Sequence, residues 1–136
     1  YIPLYYKMFK PGFNNLMFVG LMQPLGAIMP IAERQGKWIA QYLTGNYSLP
    51  NEKDMITWIK EDEEAMKKRY VSSTRHTIQV DFDIFMAQVE KEMKQGKSRA
   101  DSSGNSLPIP AKAEQFGQFS TGQTKVLSSK KALSKA

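Results

Sequence analysis

Leu16-Met17-Phe18-Val19-Gly20, then Leu21-Met22-Gln23-Pro24-Leu25-Gly26, then a periodic stretch beginning at Ala27, is the part of the sequence that decides its fold class. The first four residues form a continuous apolar run, the pattern of a strand buried on both faces. Such a strand needs partner strands and covering helices, which one hairpin cannot supply. The expected class is therefore α/β, with these residues as one part of a larger sheet. Gly20 closes the run and a loop turns through residues 21–26. The next segment places Ile28, Ile31, Ala32, Gln35, Trp38, Ile39, Tyr42 and Leu43 at steps of three and four, which is one face of an amphipathic helix. Pro30 fits in its first turn and Gly45 suits its C-terminal cap. A strand, a glycine, a short loop and a helix N-terminus form the place where α/β sheets bind ligands, beyond the carboxyl ends of the strands. First-turn amides can hydrogen-bond an anionic or carbonyl group there, and Gly20 and Gly26 let a ligand approach the backbone. The competing reading is an ordinary β–α connection that binds nothing.

Residues 2–9, aromatic and apolar around Pro3, read as a strand at an edge or starting after the proline. With residues 16–20 they make a hairpin or a strand pair, joined by the turn chemistry of Pro11-Gly12-Phe13-Asn14-Asn15. The expected helices cover about 27–44, 51–70 and 81–95. Asn51 and Asp81 are the N-caps of the second and third, and Gly96 is the stop of the third. Met55, Trp58, Ile59, Met66 and Tyr70 form the apolar face of the second helix. Phe82, Phe85, Met86, Val89 and Met93 form that of the third. Thr77–Val80 reads as a short extended piece. At helical spacing the methionines and aromatics are core residues, and the charged runs are solvated faces with Glu33–Lys37, Glu63–Lys67 and Glu64–Lys68 as pairs.

The charge is unevenly spread. Residues 1–96 hold 12 basic and 11 acidic side chains, whereas 97–136 hold 7 basic and 2 acidic, so the chain's +6 is mostly a property of its last 40 residues. That segment has eight serines and only seven Leu, Ile, Val and Phe, too few to offset chain entropy, and 97–136 is expected to be a disordered basic tail. The tail reads as solubilising, or as a contact for nucleic acid or anionic lipid. The near-neutral body offers no nucleic-acid platform. The absence of cysteine excludes a disulfide framework, a thiolate zinc site and a cysteine nucleophile, and the single histidine excludes a multi-histidine metal site. No apolar run approaches the ~20 residues of a membrane span. The chain starts at Tyr1 without a charged-then-apolar leader, so no signal peptide is expected. Its glycines match neither GxGxxG nor GxxxxGK[ST]. His76 lies in a polar loop without an evident partner, and no catalytic residue is assigned.

Asn15-Leu16-Met17-Phe18-Val19-Gly20-Leu21, Gln23-Pro24-Leu25-Gly26 and Pro30-Ile31-Ala32-Glu33-Arg34-Gln35-Gly36-Lys37-Trp38 resemble the C-terminal part of the flavin-containing monooxygenases, whose pattern runs N-L-x-F-x-G-L-x-Q-P-x-G and then P-x-A-E-x-Q-x-R-W. Lys37 stands where that pattern has arginine. Leu49-Pro50 and Arg75-His76-Thr77-Ile78-Gln79-Val80-Asp81 are also similar, and the resemblance covers about residues 1–95. It implies the terminal strands of an FAD-binding Rossmann-like domain followed by three helices. It also implies an enzyme that uses NADPH and O₂ to oxygenate a soft nucleophile, an amine at nitrogen or a sulfide at sulfur, through a C4a-hydroperoxyflavin. The cofactors implied are FAD and NADPH. By the same resemblance Gly20, Leu21, Gln23, Pro24 and Leu25 lie along the flavin edge, with Gln23 as its hydrogen-bonding side chain. Both dinucleotide motifs of the family belong upstream of this segment, so the chain is expected to need the N-terminal part of its own protein and to be inactive alone. The cytoplasm or the surface of the endoplasmic reticulum follows from the resemblance, while the residues leave localisation and membrane association open. The alternative function is a non-enzymatic truncated product that acts as an interaction module with a basic tail.

Overall fold

A computed structural model describes residues 2–69 and 79–109. The elements run β1 (Gln23–Leu25), α1 (Ile28–Leu43), α2 (Glu52–Arg69), β2 (Gln79–Asp81) and α3 (Phe82–Ser102). The two strands pair in parallel, with Gln23 opposite Gln79, Pro24 opposite Val80 and Leu25 opposite Asp81. A parallel pair needs a long crossover, and here it contains α1 and α2. The described residues are thus an α/β arrangement, three helices on a two-stranded parallel sheet.

Helices α1 and α2 lie where the apolar periodicity places them. Ile31, Gln35, Trp38 and Tyr42 form the buried face of α1, at steps of three and four. Asn51 caps α2: its Oδ1 accepts from the Asp54 amide at 2.9 Å and its Nδ2 donates to Asp54 Oδ2 at 2.7 Å. One orphan amide of the helix end is satisfied in this way, and Glu52 and Asp54 lie at the positive end of the helix dipole. Lys37 donates to Glu33 at 2.7 Å and Lys67 to Glu63 at 2.9 Å, both as i,i+4 pairs on exposed faces.

Besides residues 23–25, described below, three segments differ from their sequence reading. Residues 2–9 are not one strand. Tyr6 and Lys7 take left-handed backbone angles (φ 49° and 58°), and the chain doubles back so that Tyr5 and Phe9 exchange hydrogen bonds of 2.9 and 3.0 Å. Non-glycine residues occupy this conformation only where surrounding contacts outweigh its cost. The Tyr6 ring stacks on Trp58 at 4.2 Å, and Lys7 reaches Asp62 at 2.5 Å from a nearly buried position. The 16–20 run is also not a strand buried on both faces. Met17 bridges Phe9 and the Phe18 amide donates to Met8 at 2.9 Å, but Val19 is 52% exposed. The third difference is α3, which passes through Gly96 without stopping. It ends at Ser103, with Gly104 at φ 77° and the Asn105 amide donating back to Ala100 O at 2.9 Å. Residues 97–102 are therefore helical, with Ala100 buried, and the tail does not begin at 97. The remainder of the expected tail, 110–136, and the loop with Arg75 and His76 lie outside the described residues.

Gly96 is needed for packing. A Cβ there would lie 1.9 Å from the Tyr47 ring. That close approach seats Tyr47 in the core with Trp38, Phe9, Met8, Ile31 and Val89. Phe9 meets Trp38 and Tyr42 edge-on at 5.6 and 5.3 Å, and Trp38 meets Tyr47 at 5.4 Å, the T-shaped geometry that ring quadrupoles favour. Apolar residues from the N-terminal turn, α1, α2 and α3 all join this cluster.

Candidate functional site

The loop read from the sequence stands at the edge of this core. Gly20 has φ 72°, and its amide donates to Gln35 Oε1 at 2.9 Å. A Cβ placed at Gly20 would meet nothing within 4 Å, so the backbone is open on that side. Leu21 is half-buried and Met22 is buried in the core. Residues 23–25 then form β1, where a loop was expected. Parallel pairing with β2 extends them, and Pro24 is tolerated because β1 has no partner on its other side among the described residues. The Gln23 side chain is exposed, Pro24 is half-buried opposite Val80, and Leu25 is 58% exposed. Gly26 has φ 134° and packs on Phe82, 3.7 Å from the Phe82 Cβ to where a Cβ would be. A substitution there is strained whatever its size.

Ala27 then takes an extended conformation and α1 begins. No side chain caps this end, and its first turn holds no acidic residue. The helix dipole and the amides of its first turn thus face outward without a partner from their own side chains, which is the chemistry that receives an acceptor oxygen or an anion. Pro30 contributes no amide to this set. Met29 is 74% exposed and Leu25 58% beside the start of α1, and Phe13, Leu16 and Val19 of the preceding segment are also exposed apolar side chains. Gly20 and Leu21 thus lead into β1, which holds Gln23, Pro24 and Leu25, and the backbone is open at Gly20. Among the described residues no group of three or more His, Cys, Asp or Glu side chains could hold a metal.

A second polar constellation was missed by the sequence reading. Glu92, nearly fully buried, accepts from Tyr47 Oη at 2.8 Å and from Arg99 Nη2. Arg99 Nε also donates to Ser48 O at 3.0 Å, and the Ser48 amide donates to Gly96 O at 3.0 Å. Burial raises the Tyr47 hydroxyl far above the ordinary phenol range, and the Glu92 charge adds to the rise. The Tyr6 hydroxyl is pushed up to about 12 for the same two reasons, burial first. This network ties the α1–α2 connection to α3. The signal that could have found it is the spacing of Phe85, Val89, Glu92 and Gly96, which puts a carboxylate on the buried stripe of α3.

The comparisons with known proteins agree with the motif reading. The family model described as flavin-binding monooxygenase-like matches residues 1–99. Flavin-containing monooxygenase 5 of Rattus norvegicus is 46% identical over 90 residues, which are 65% of this chain and 17% of that protein. The Homo sapiens protein of the same name is 48% identical over 83 residues, covering 60% of this chain and 16% of the relative. Flavin-containing monooxygenase 3 of Homo sapiens is 34% identical over 73 residues, 54% of this chain and 13% of the relative. The chain thus spans no more than 17% of the length of these relatives. No helix among the described residues is long and apolar enough to cross a membrane. With a family model matched across residues 1–99, the chain belongs to the flavin-binding monooxygenase-like family.

Proposed function

We propose that this chain is the C-terminal part of the FAD-binding, Rossmann-like domain of a monooxygenase that uses NADPH and O₂ to oxygenate a soft nucleophile, an amine nitrogen or a sulfide sulfur. The observation that carries the reading is the edge from Gly20 to Met29: an open backbone at Gly20, an uncapped N-terminus of α1, and exposed Leu25 and Met29 beside it. These residues fit one side of a flat, partly polar ring system. When bound, the flavin supplies the redox chemistry, with NADPH as reductant and O₂ as the oxygen source.

The chain's own contribution is binding and orientation. Gly20 lets the ring lie close to the backbone, because no side chain intervenes. The free amides at the start of α1 donate to an acceptor oxygen of the cofactor. Gln23 carries both a donor and an acceptor and is free of the core, so it can bond the ring edge or the substrate. Leu21, Pro24, Leu25 and Met29 exclude water from the ring edge. None of the described residues is assigned as catalytic. Two three-residue strands cannot enclose a dinucleotide, so the cofactors and the substrate cavity require the N-terminal part of the protein.

The test is the flavin content of the product of the complete reading frame. It should purify with about one flavin per chain and consume NADPH in the presence of O₂, whereas residues 1–136 alone should retain no flavin. A complete product that folds without flavin, even when supplied with FAD, overturns the proposal.

A further inference from the structure

We propose that Gln35 is a positioning residue for the Gly20–Leu25 segment, acting through the Gly20 amide. The inference rests on the functional reading above for its consequence, but its geometry stands apart from it. Gln35 is 0% exposed and lies on the α1 face otherwise made by Ile31, Trp38 and Tyr42. Burying an amide side chain among apolar groups is unfavourable unless its polar atoms are bonded. A leucine or methionine would fill the stripe without that cost, so a glutamine here has work to do beyond packing.

The work visible is the 2.9 Å bond from the Gly20 amide to Gln35 Oε1, across 15 residues of sequence. A backbone N–H only donates, so the atom facing Gly20 must be the oxygen, and the orientation of the side-chain amide is fixed by chemistry. Nε2 then points away, buried, with no acceptor among the described residues. Trp38 Nε1, one turn on along the same face, is buried in the same state. Gln35 thus has its acceptor committed to the loop and its donor available to a group outside the described residues.

The bond falls where the chain needs holding. Met17 bridges Phe9 and the Phe18 amide bonds to Met8, after which the chain leaves the N-terminal turn. Val19 is exposed, and the next anchors are buried Met22 and the pairing of β1. Between Phe18 and Met22, the bond to Gln35 holds the backbone among the described residues, and Gly20 there has φ 72°. Its loss lets the open backbone at Gly20 shift relative to α1, and with it the edge that meets the cofactor.

The experiment uses the product of the complete reading frame with Gln35→Met and Gln35→Glu. Methionine keeps the length and burial and removes the acceptor; glutamate keeps an acceptor oxygen. In Gln35→Met, amide hydrogen exchange at Gly20 should rise about tenfold while the amides of 38–42 in α1 exchange as before. In Gln35→Glu, Gly20 should exchange more slowly than in Gln35→Met. The visible spectrum of bound flavin should shift in Gln35→Met, a signature that a purely packing role would not produce. Unchanged Gly20 exchange in Gln35→Met overturns the proposal. If Gln35→Met loosens the whole fold, equal Gly20 exchange in the Met and Glu variants overturns it, and slower exchange with Glu supports it. A wild-type product without flavin sinks the functional reading, while the exchange measurement still decides whether Gln35 holds Gly20.

Discussion

The Tyr47 region and the Gly20–Met29 edge are built from similar residue types and do opposite things with them. Around Tyr47, every large side chain is inside: Phe9, Trp38 and Val89 are buried, and the Tyr47 hydroxyl and Arg99 meet at Glu92. Along the edge, Leu16, Val19, Leu25 and Met29 are apolar and face outward, and a helix end has no capping side chain. The first region closes its ring packing and its Tyr47–Glu92–Arg99 bonds within this chain. The second leaves them open. The difference separates residues that hold this segment together from residues that serve something it meets.

That contrast can be broken by substitution. The largest effect is expected for Trp38→Ala, which empties the centre of the aromatic cluster and should cost about 3–5 kcal/mol of stability in chemical denaturation. Gly96→Ala is next. Its Cβ would enter the Tyr47 ring plane from a helix backbone that cannot retreat, and a loss of about 1–3 kcal/mol is expected, with near-ultraviolet circular dichroism of the tyrosines altered. If Gly96→Ala were neutral, the close approach of Tyr47 to α3 would be wrong.

An alkaline titration sharpens the comparison further. Burial, and then the Glu92 charge, push the Tyr6 hydroxyl up from the ordinary phenol value of 10.0 to about 12. A raised folded value stabilises the fold fully below pH 10, and that contribution is lost as pH rises through 12. The phenolate absorbance that Tyr6→Phe removes from the titration should therefore appear late and together with unfolding. If the difference between wild type and Tyr6→Phe develops near pH 10 without unfolding, Tyr6 lies in water. The smallest effect on stability belongs to the edge. Leu25→Ser and Met29→Ser should change folding stability by less than about 0.5 kcal/mol, since both side chains already face outward. Under the proposed function they should nonetheless weaken flavin retention in the complete product. A large stability loss with normal flavin content would reverse the assignment of the two regions.

The same contrast explains what was legible in the sequence. Helices α1 and α2 could be read because their stripes are long and their ends carry local chemistry, Pro30 and Asn51. In the Gly20–Leu25 segment the glycines and the helix start were local signals, but the strand at Gln23–Leu25 was not, because its pairing partner is Gln79–Asp81, more than 50 residues on. What escaped depended on distant partners. Nothing in Tyr5-Tyr6-Lys7 predicts a left-handed reversal, since neither position is glycine or asparagine, and the turn is held by Trp58 and Asp62 more than 50 residues away. Gly96 looked like a stop because glycine commonly ends helices, yet its missing side chain serves the Tyr47 ring. Gln35 could be placed on the buried face, but its bond to Gly20 had no signature along the chain.

The continuation of α3 past Gly96 also decides where this protein can be cut. A boundary drawn at 96 would delete Arg99 and Ala100, leave Glu92 as a buried carboxylate without its cation, and remove the Asn105 side chain that donates to Gly45 O at 3.1 Å. A boundary drawn after Asn105 keeps the cap and the ion pair together. For anyone grafting, fusing or trimming this segment, the usable joint lies beyond Asn105, where the helix and its cap have already finished.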